Sequence, residues 1–287
     1  MSRLPLLLLA ALSLSACERD PDAVLRSLDS ARVPTEVLQD LRDDGARMFA
    51  TVQPVPPNSD APRAVIARWV DRDGAKASWS FDGIPVLDVR FVPGSEAALV
   101  LTRTRELVLL PSRSAMPSHI DSEVLGPVSV SRNGRYVAYG RGEIPDVEIV
   151  RYDLARGQAV GGTQDMAPAW SPVLSEDGSR LLFVSGKTGA PELWELDNDH
   201  AAVQRTDRSR DPVPFPTGPS APIWDRNTIA FEDNEGVRIV SVDPPRLLRT
   251  VPGTLPLLST RSRAFVVQDP AGLGPRWVSF EATEVVR

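Results

Sequence analysis

The residues best suited to chemistry in this 287-residue chain are few and scattered. Its two histidines lie among acids: Asp121 and Ser122 follow His119, and Asp197 and Asp199 precede His200. A histidine becomes a general base when it reaches a nucleophile and a carboxylate orients it, so these are the two neighbourhoods in which such chemistry could be assembled. Both histidines fall in polar stretches that read as connecting loops. No GxSxG turn presents a serine nucleophile. Zinc sites need clustered Cys or His, and the chain has one Cys and two His. Asp197, Asp199 and Asp207 could offer oxygens to Ca²⁺ but lack the spacing of an EF-hand loop. The expectation is therefore a protein with no catalytic residues, no metal and no cofactor.

A second group suits recognition better than catalysis. Arg205, Arg208, Arg210 and Phe215 lie in the longest irregular stretch, RTDRSRDPVPFPTGPSAP, from Arg205 to Pro222. Long loops on a rigid scaffold tend to carry binding, and arginine and aromatic residues are common anchors at interfaces. These four are the candidate partner-binding residues. The formal charge of −6 and the absence of any Lys/Arg run argue against nucleic acid as the partner.

The elements that must hold such a loop are strands. Turn signals recur at Pro93-Gly94, Asn133-Gly134, Asp177-Gly178, Arg226-Asn227 and, most weakly, Arg261-Ser262, at steps of about 40 residues. A second landmark, the residue closing a strand, runs Asp71, Pro111, Asp153, Asp197, Asp243 and Glu281 with the same period. Between the landmarks lie short apolar or alternating runs, AALVLT and ELVLLP, YVAYGR and VEIVRYD, LLFVSG and ELWELD, TIAFED and VRIVSVD, AFVVQD and RWVSFE, which read as strands. The 27 prolines and 19 glycines are spread as the punctuation of many turns. The fold class is all-β: a β-propeller of four-stranded blades, with six blades expected over residues 46–287. Five of the tryptophans, Trp69, Trp170, Trp194, Trp224 and Trp277, read as core spacers, and Trp79 on a fourth strand is the one to test for exposure.

The first unit looks incomplete. AVIARWVD and AKASWSF serve as third and fourth strands, and Arg47 to Val55 supplies an inner one. A ring leaves exposed edges unless it closes, so strands from both termini are expected to complete this blade, with Thr283 to Val286 a contributor. Residues 17–45 read as a tether and a short helix over Thr35 to Arg42, with Thr35 as its cap and Leu38 and Leu41 on one face.

Residues 1–16 carry Arg3, an apolar stretch from Leu4 to Leu14 and then small residues, the form of an export signal. Leu14, Ser15, Ala16 and Cys17 resemble the lipobox of bacterial lipoproteins, in which the cysteine is lipidated after cleavage. The only cysteine of the chain stands at the position that motif requires. The resemblance implies an envelope protein anchored through Cys17 and facing the periplasm, on the outer rather than the inner membrane.

Residues 167–199, APAWSPVLSEDGSRLLFVSGKTGAPELWELDND, resemble the TolB-like, or PD40, propeller repeat. Pro168, Trp170, Ser171, Pro172 and Asp177-Gly178 match it, with Val173 to Glu176 inserted; Pro222 and Trp224 keep part of it in a later unit. The resemblance spans about residues 50–287. It implies the fold and not the role. The expectation for function, a monomeric, non-enzymatic scaffold that docks an envelope protein or peptide, rests instead on the scarcity of histidine and of catalytic motifs. A propeller lyase or hydrolase with a metal in its central channel, or a glycan- or peptidoglycan-binding module, are the alternatives.

Overall fold

The computed structural model describes residues 36–41, 47–52, 65–70, 76–80, 86–112, 115–197, 201–207, 213–217, 222–258, 264–268 and 275–280. Cys17, His200, Arg208, Arg210 and Thr283 to Val286 lie outside these residues.

The described residues form six antiparallel sheets in chain order. The first holds β1 (Glu36–Leu41), β2 (Arg47–Val52), β3 (Val65–Val70) and β4 (Lys76–Ser80). The second holds β5 (Val86–Phe91), β6 (Ala98–Thr102), β7 (Leu107–Leu110) and β8 (Ser118–Asp121). The third holds β9 (Val124–Val130), β10 (Tyr136–Arg141), β11 (Glu148–Asp153) and β12 (Gln158–Gly162). The fourth holds β13 (Ala169–Leu174), β14 (Arg180–Ser185), β15 (Glu192–Asp197) and β16 (Val203–Gln204). The fifth holds β17 (Ile223–Asp225), β18 (Thr228–Asp233), β19 (Gly236–Val242) and β20 (Pro245–Val251), and the sixth β21 (Thr254–Leu258), β22 (Ala264–Gln268) and β23 (Pro275–Ser279). Each sheet starts beside the start of the next, and β1 lies beside both β5 and β21, so the inner strands run in a ring.

Two expectations about the N-terminal part need correction. Thr35 to Arg42 is not a helix: Glu36–Leu41 is β1, paired antiparallel with β2 from Glu36↔Thr51 to Leu41↔Arg47. The leucines at 38 and 41 fit a helix face, but a window this short cannot separate the two periods, and pairing decides. The strand-bearing part of the chain thus starts at Glu36, ahead of residue 46. The first blade, moreover, takes all four strands from one stretch of chain, with β3 and β4 as its third and fourth, rather than from both termini.

The core lies between sheets. One layer joins the second and third sheets through Leu99, Leu101, Leu107, Val137 and Tyr139. Others join the third to the fourth through Ala138, Ile149, Leu181 and Phe183, the fourth to the fifth through Leu182, Val184, Phe231 and Val240, and the fifth to the sixth through Ile239, Val251, Phe265 and Val267. Second strands are covered on both faces: all five residues of β6 are buried, as are five of six in β14. That is why ALVLT and LLFVS read as continuous apolar runs rather than alternations. Outer strands are the reverse, with β12 wholly exposed or half-buried.

The recurring turns join first to second strands, and the chain there requires positive φ: +75° at Gly94, +71° at Gly134, +75° at Gly178 and +53° at Arg226. They also stack on one another. Asn133 N donates to Glu176 O at 3.0 Å and Asn133 Nδ2 to Asp177 O at 2.8 Å, joining the turns of adjacent blades. A Cβ on Gly134 would lie 2.2 Å from Pro93 O of the blade before it. The 40-residue ruler is therefore also a seam of contacts: Gly134 and Gly178 are fixed by tertiary approach as well as by φ, whereas a Cβ on Gly94 would meet nothing within 4 Å.

Candidate partner-binding site at the channel mouth

The inner strands β5, β9, β13 and β17 splay too far apart to pair by backbone, and side chains bridge them. Val128 N donates to Asp88 Oδ2 at 3.2 Å, and Leu174 N to Ser129 Oγ at 3.1 Å. Asp88 also holds the Arg90 guanidinium at 3.0 Å. Between these strands lies a cavity of about 50 Å³ whose lining includes Phe91, Val128, Val173, Leu174, Ile223 and Trp224, with Arg90, Ser129, Arg132 and Glu176 as its polar part. That volume is enough for a few waters. The inserted residues Val173 to Glu176 do reach a candidate site: Val173 and Leu174 are buried in the wall, and Glu176 stands at the rim.

Arg132 lines this cavity. It leaves the end of β9, passes the fourth sheet and donates through Nη1 to Asp225 Oδ1 of β17 at 3.2 Å, with Glu176 Oε2 at 3.7 Å. The side chains of Arg132 and Asp225 are 16% and 7% exposed, while that of Glu176 is 68% exposed. A nearly buried ion pair thus spans three sheets, with one carboxylate left at the surface.

Beside it, the candidate loop is tied into the fold. Arg205 Nε donates to Glu195 Oε2 at 2.8 Å, Arg180 binds the other oxygen of Glu195, and the Arg180 guanidinium lies 4.9 Å from the Trp224 ring centre. Burial pushes the Glu195 carboxyl upward, but the Arg180 and Arg205 guanidinium groups outweigh it and hold the carboxyl below its usual range. Phe215 packs half-buried against the core cluster of Trp224 and Phe231. Of the four candidate residues, the two described ones are therefore engaged within the molecule. Trp170 and Trp224 also pack into this cluster, and Trp194 packs on the layer before it. Trp69, Trp79 and Trp277 fall on β3, β4 and β23.

His119 is not in a loop but on β8. Its Nε2 lies 2.6 Å from Glu106 Oε2 and 3.1 Å from Ser122 Oγ, and Ser122 Oγ donates to the same Glu106 oxygen at 3.0 Å. Glu106, which sequence reasoning passed over, comes from the far side of the hairpin, where register sets Leu107 opposite Asp121. The expected Asp121 turns away to accept the Tyr139 hydroxyl at 2.7 Å. Burial, and then that bond, push the Tyr139 phenol up. This group is not a triad: serine and carboxylate compete for one ring nitrogen, whereas a relay needs one on each. Among the described residues no three His, Cys, Asp or Glu gather as metal ligands, and no helix is long and apolar enough to cross a membrane.

TolB from Acinetobacter baumannii superposes on 84% of this chain and 62% of its own, with a TM-score of 0.59 and 17% identity. The fold is a TolB-like β-propeller. The chain spans about three fifths of the TolB length. A chain of the mitotic checkpoint complex matches with a TM-score of 0.55 over 87% of this chain and 78% of its own at 12% identity. A prolyl endopeptidase matches with a TM-score of 0.53 over 86% of this chain and 42% of its own at 15% identity. No protein-family model matches the sequence, and no curated protein does.

Proposed function

We propose that this propeller is a lipid-anchored, periplasm-facing scaffold of the bacterial envelope, six-bladed and monomeric, that binds an envelope protein or peptide and carries out no reaction. The observation that carries the reading is the channel mouth. A site for a small substrate needs an open, shaped hollow, and here the Arg132–Asp225 pair bridges three sheets over a space for a few waters. What remains exposed is a rim, with Glu176 on it, suited to a partner's surface. The likeness to a chain of a protein assembly, the mitotic checkpoint complex, supports the same reading. The likeness to prolyl endopeptidases favours the enzyme alternative, and so bears on the test.

The test places a photo-crosslinking residue at Glu176 in living cells, with Gln158 on the exposed outer strand β12 as control. One envelope protein captured from 176 and not from 158 is expected, and its capture should fall when Arg132 becomes Glu. Recovery of no envelope protein above background overturns the scaffold reading. Turnover of a peptide or glycan by the purified chain would establish the alternative.

A further inference from the structure

β20 ends the fifth sheet and, at 7 residues, is longer than the outer strands β4, β8, β12 and β16, which have 5, 4, 5 and 2. One of its edges pairs with β19 from Val242↔Pro245 to Val237↔Val251. The other meets no strand among the described residues. An unpaired edge presents a row of backbone donors and acceptors to any extended chain.

The side chains on this edge are unusual for the protein. In a chain of net charge −6, the segment from Pro244 to Thr254 has two arginines and no acid. Arg246 and Arg249 are exposed, and neither forms an ion pair with any described residue. Leu247 between them is 44% exposed. Register adds a further point. Arg246 stands opposite Ser241 and Arg249 opposite Ile239, because a bulge absorbs Leu248 between Val240↔Leu247 and Ile239↔Arg249. Residues 239 and 241 share a face of β19, so the bulge brings both arginines to one face although they are three apart in sequence.

We propose that β20 receives an extended acidic segment of a partner protein as an added strand, with two carboxylates at alternate positions facing Arg246 and Arg249. The alternate spacing follows from the bulge, since an incoming strand continues the two-residue repeat of β19. A second copy of β20 is disfavoured as the occupant, because antiparallel self-pairing centred between Leu247 and Leu248 sets Arg246 against Arg249. This surface is on the outer rim of the blade, away from the channel mouth, so it stands or falls apart from the site at Glu176.

The experiment titrates the full-length protein with a synthetic peptide matched in length to β20, alternating Glu and Val, and follows backbone amide shifts and hydrogen exchange. Slowed exchange along β20 is expected. Arg246→Glu with Arg249→Glu should weaken binding about tenfold, the scale of two exposed ion pairs lost, and a Lys/Val peptide should then bind the double variant. A peptide of the same charges but N-methylated throughout should not bind, because it cannot form the ladder. Equal binding of the methylated peptide, unchanged binding by the double variant, shifts that map elsewhere, or self-association through β20 would each overturn the proposal.

Discussion

Gly178 turns at φ +75° directly beneath the ring of Tyr136, and a Cβ added to it would lie 2.3 Å from Tyr136 Cδ2. Arg151 and Arg135 flank the same ring at 5.5 and 4.9 Å, and Arg151 Nη1 reaches Gly178 O at 3.3 Å. The DG turn of one blade is thus built against an aromatic residue of the blade before it. Gly178→Ala should cost about 2–4 kcal/mol, from a left-handed residue and an overpacked contact together. In a Tyr136→Ala background the same change should cost only about 1–2 kcal/mol, the conformational part. Thermal unfolding of the four proteins of this cycle checks it, and additive costs would show that the ring contact carries no weight.

The channel pair predicts an asymmetry. Asp225→Ala leaves Arg132 nearly buried beside the more distant Glu176, and should destabilise by about 2–4 kcal/mol, near the range for removing one member of a buried pair. Replacing both, Arg132→Met with Asp225→Ala, should restore part of that loss. Denaturant unfolding would refute the pairing if the double variant were the less stable.

Asp153 supplies a pH dependence with a definite sign. Its side chain is 1% exposed, and burial alone would raise its pKa. The Arg135 guanidinium and the backbone N–H groups of Arg156 and Ala155 outweigh burial and hold the carboxyl below its usual range. A depressed folded pKa stabilises fully above the unfolded value, about 3.9, and the contribution is lost as pH falls through the folded one. The protein should therefore lose stability as pH drops below about 4, and Asp153→Asn should flatten that slope while leaving little pH dependence from this site between pH 5 and 8. Melting temperatures across this range test both statements.

His119 and Glu106 predict a small effect. Their side chains are 54% and 39% exposed, so His119→Ala should change stability by no more than about 1 kcal/mol. Ser122→Ala should leave any hydrolysis by the purified protein unchanged, since the serine shares its histidine nitrogen with the carboxylate. A hydrolytic activity abolished by that substitution would return the group to catalysis.

Cys17→Ser should move the protein from the membrane to the soluble fraction of the envelope, because a lipid chain contributes about 0.8 kcal/mol per buried CH₂ and the variant has none to bury. Fractionation with immunoblotting reads the result, and retention on the membrane would refute the anchor.

The repeat was legible because its causes are local. Gly94, Gly134 and Gly178 take positive φ, which few other residues adopt, and the apolar runs after them fill strands covered on both faces. The reading of residues 1–17 as an export and lipidation signal rests on the sequence alone, since those residues lie outside the described ones. The strand β1 was not legible, because Glu36–Leu41 carries a pattern that suits either period and only its pairing to β2 chooses. Glu106 escaped for a related reason: what sets it beside Ser122 is the register of a hairpin, not proximity in sequence.

The amino-acid sequence by itself determined the period, the turns and the class of fold, each a matter of backbone conformation and of which residues must leave water. Only the tertiary structure decided that Arg132 meets Asp225, 93 residues away, and that a bulge at Leu248 sets Arg246 and Arg249 on one face. The physical reason is the ring. Curving successive sheets about one axis brings together side chains whose separation is fixed by geometry across blades, and no local propensity encodes that distance.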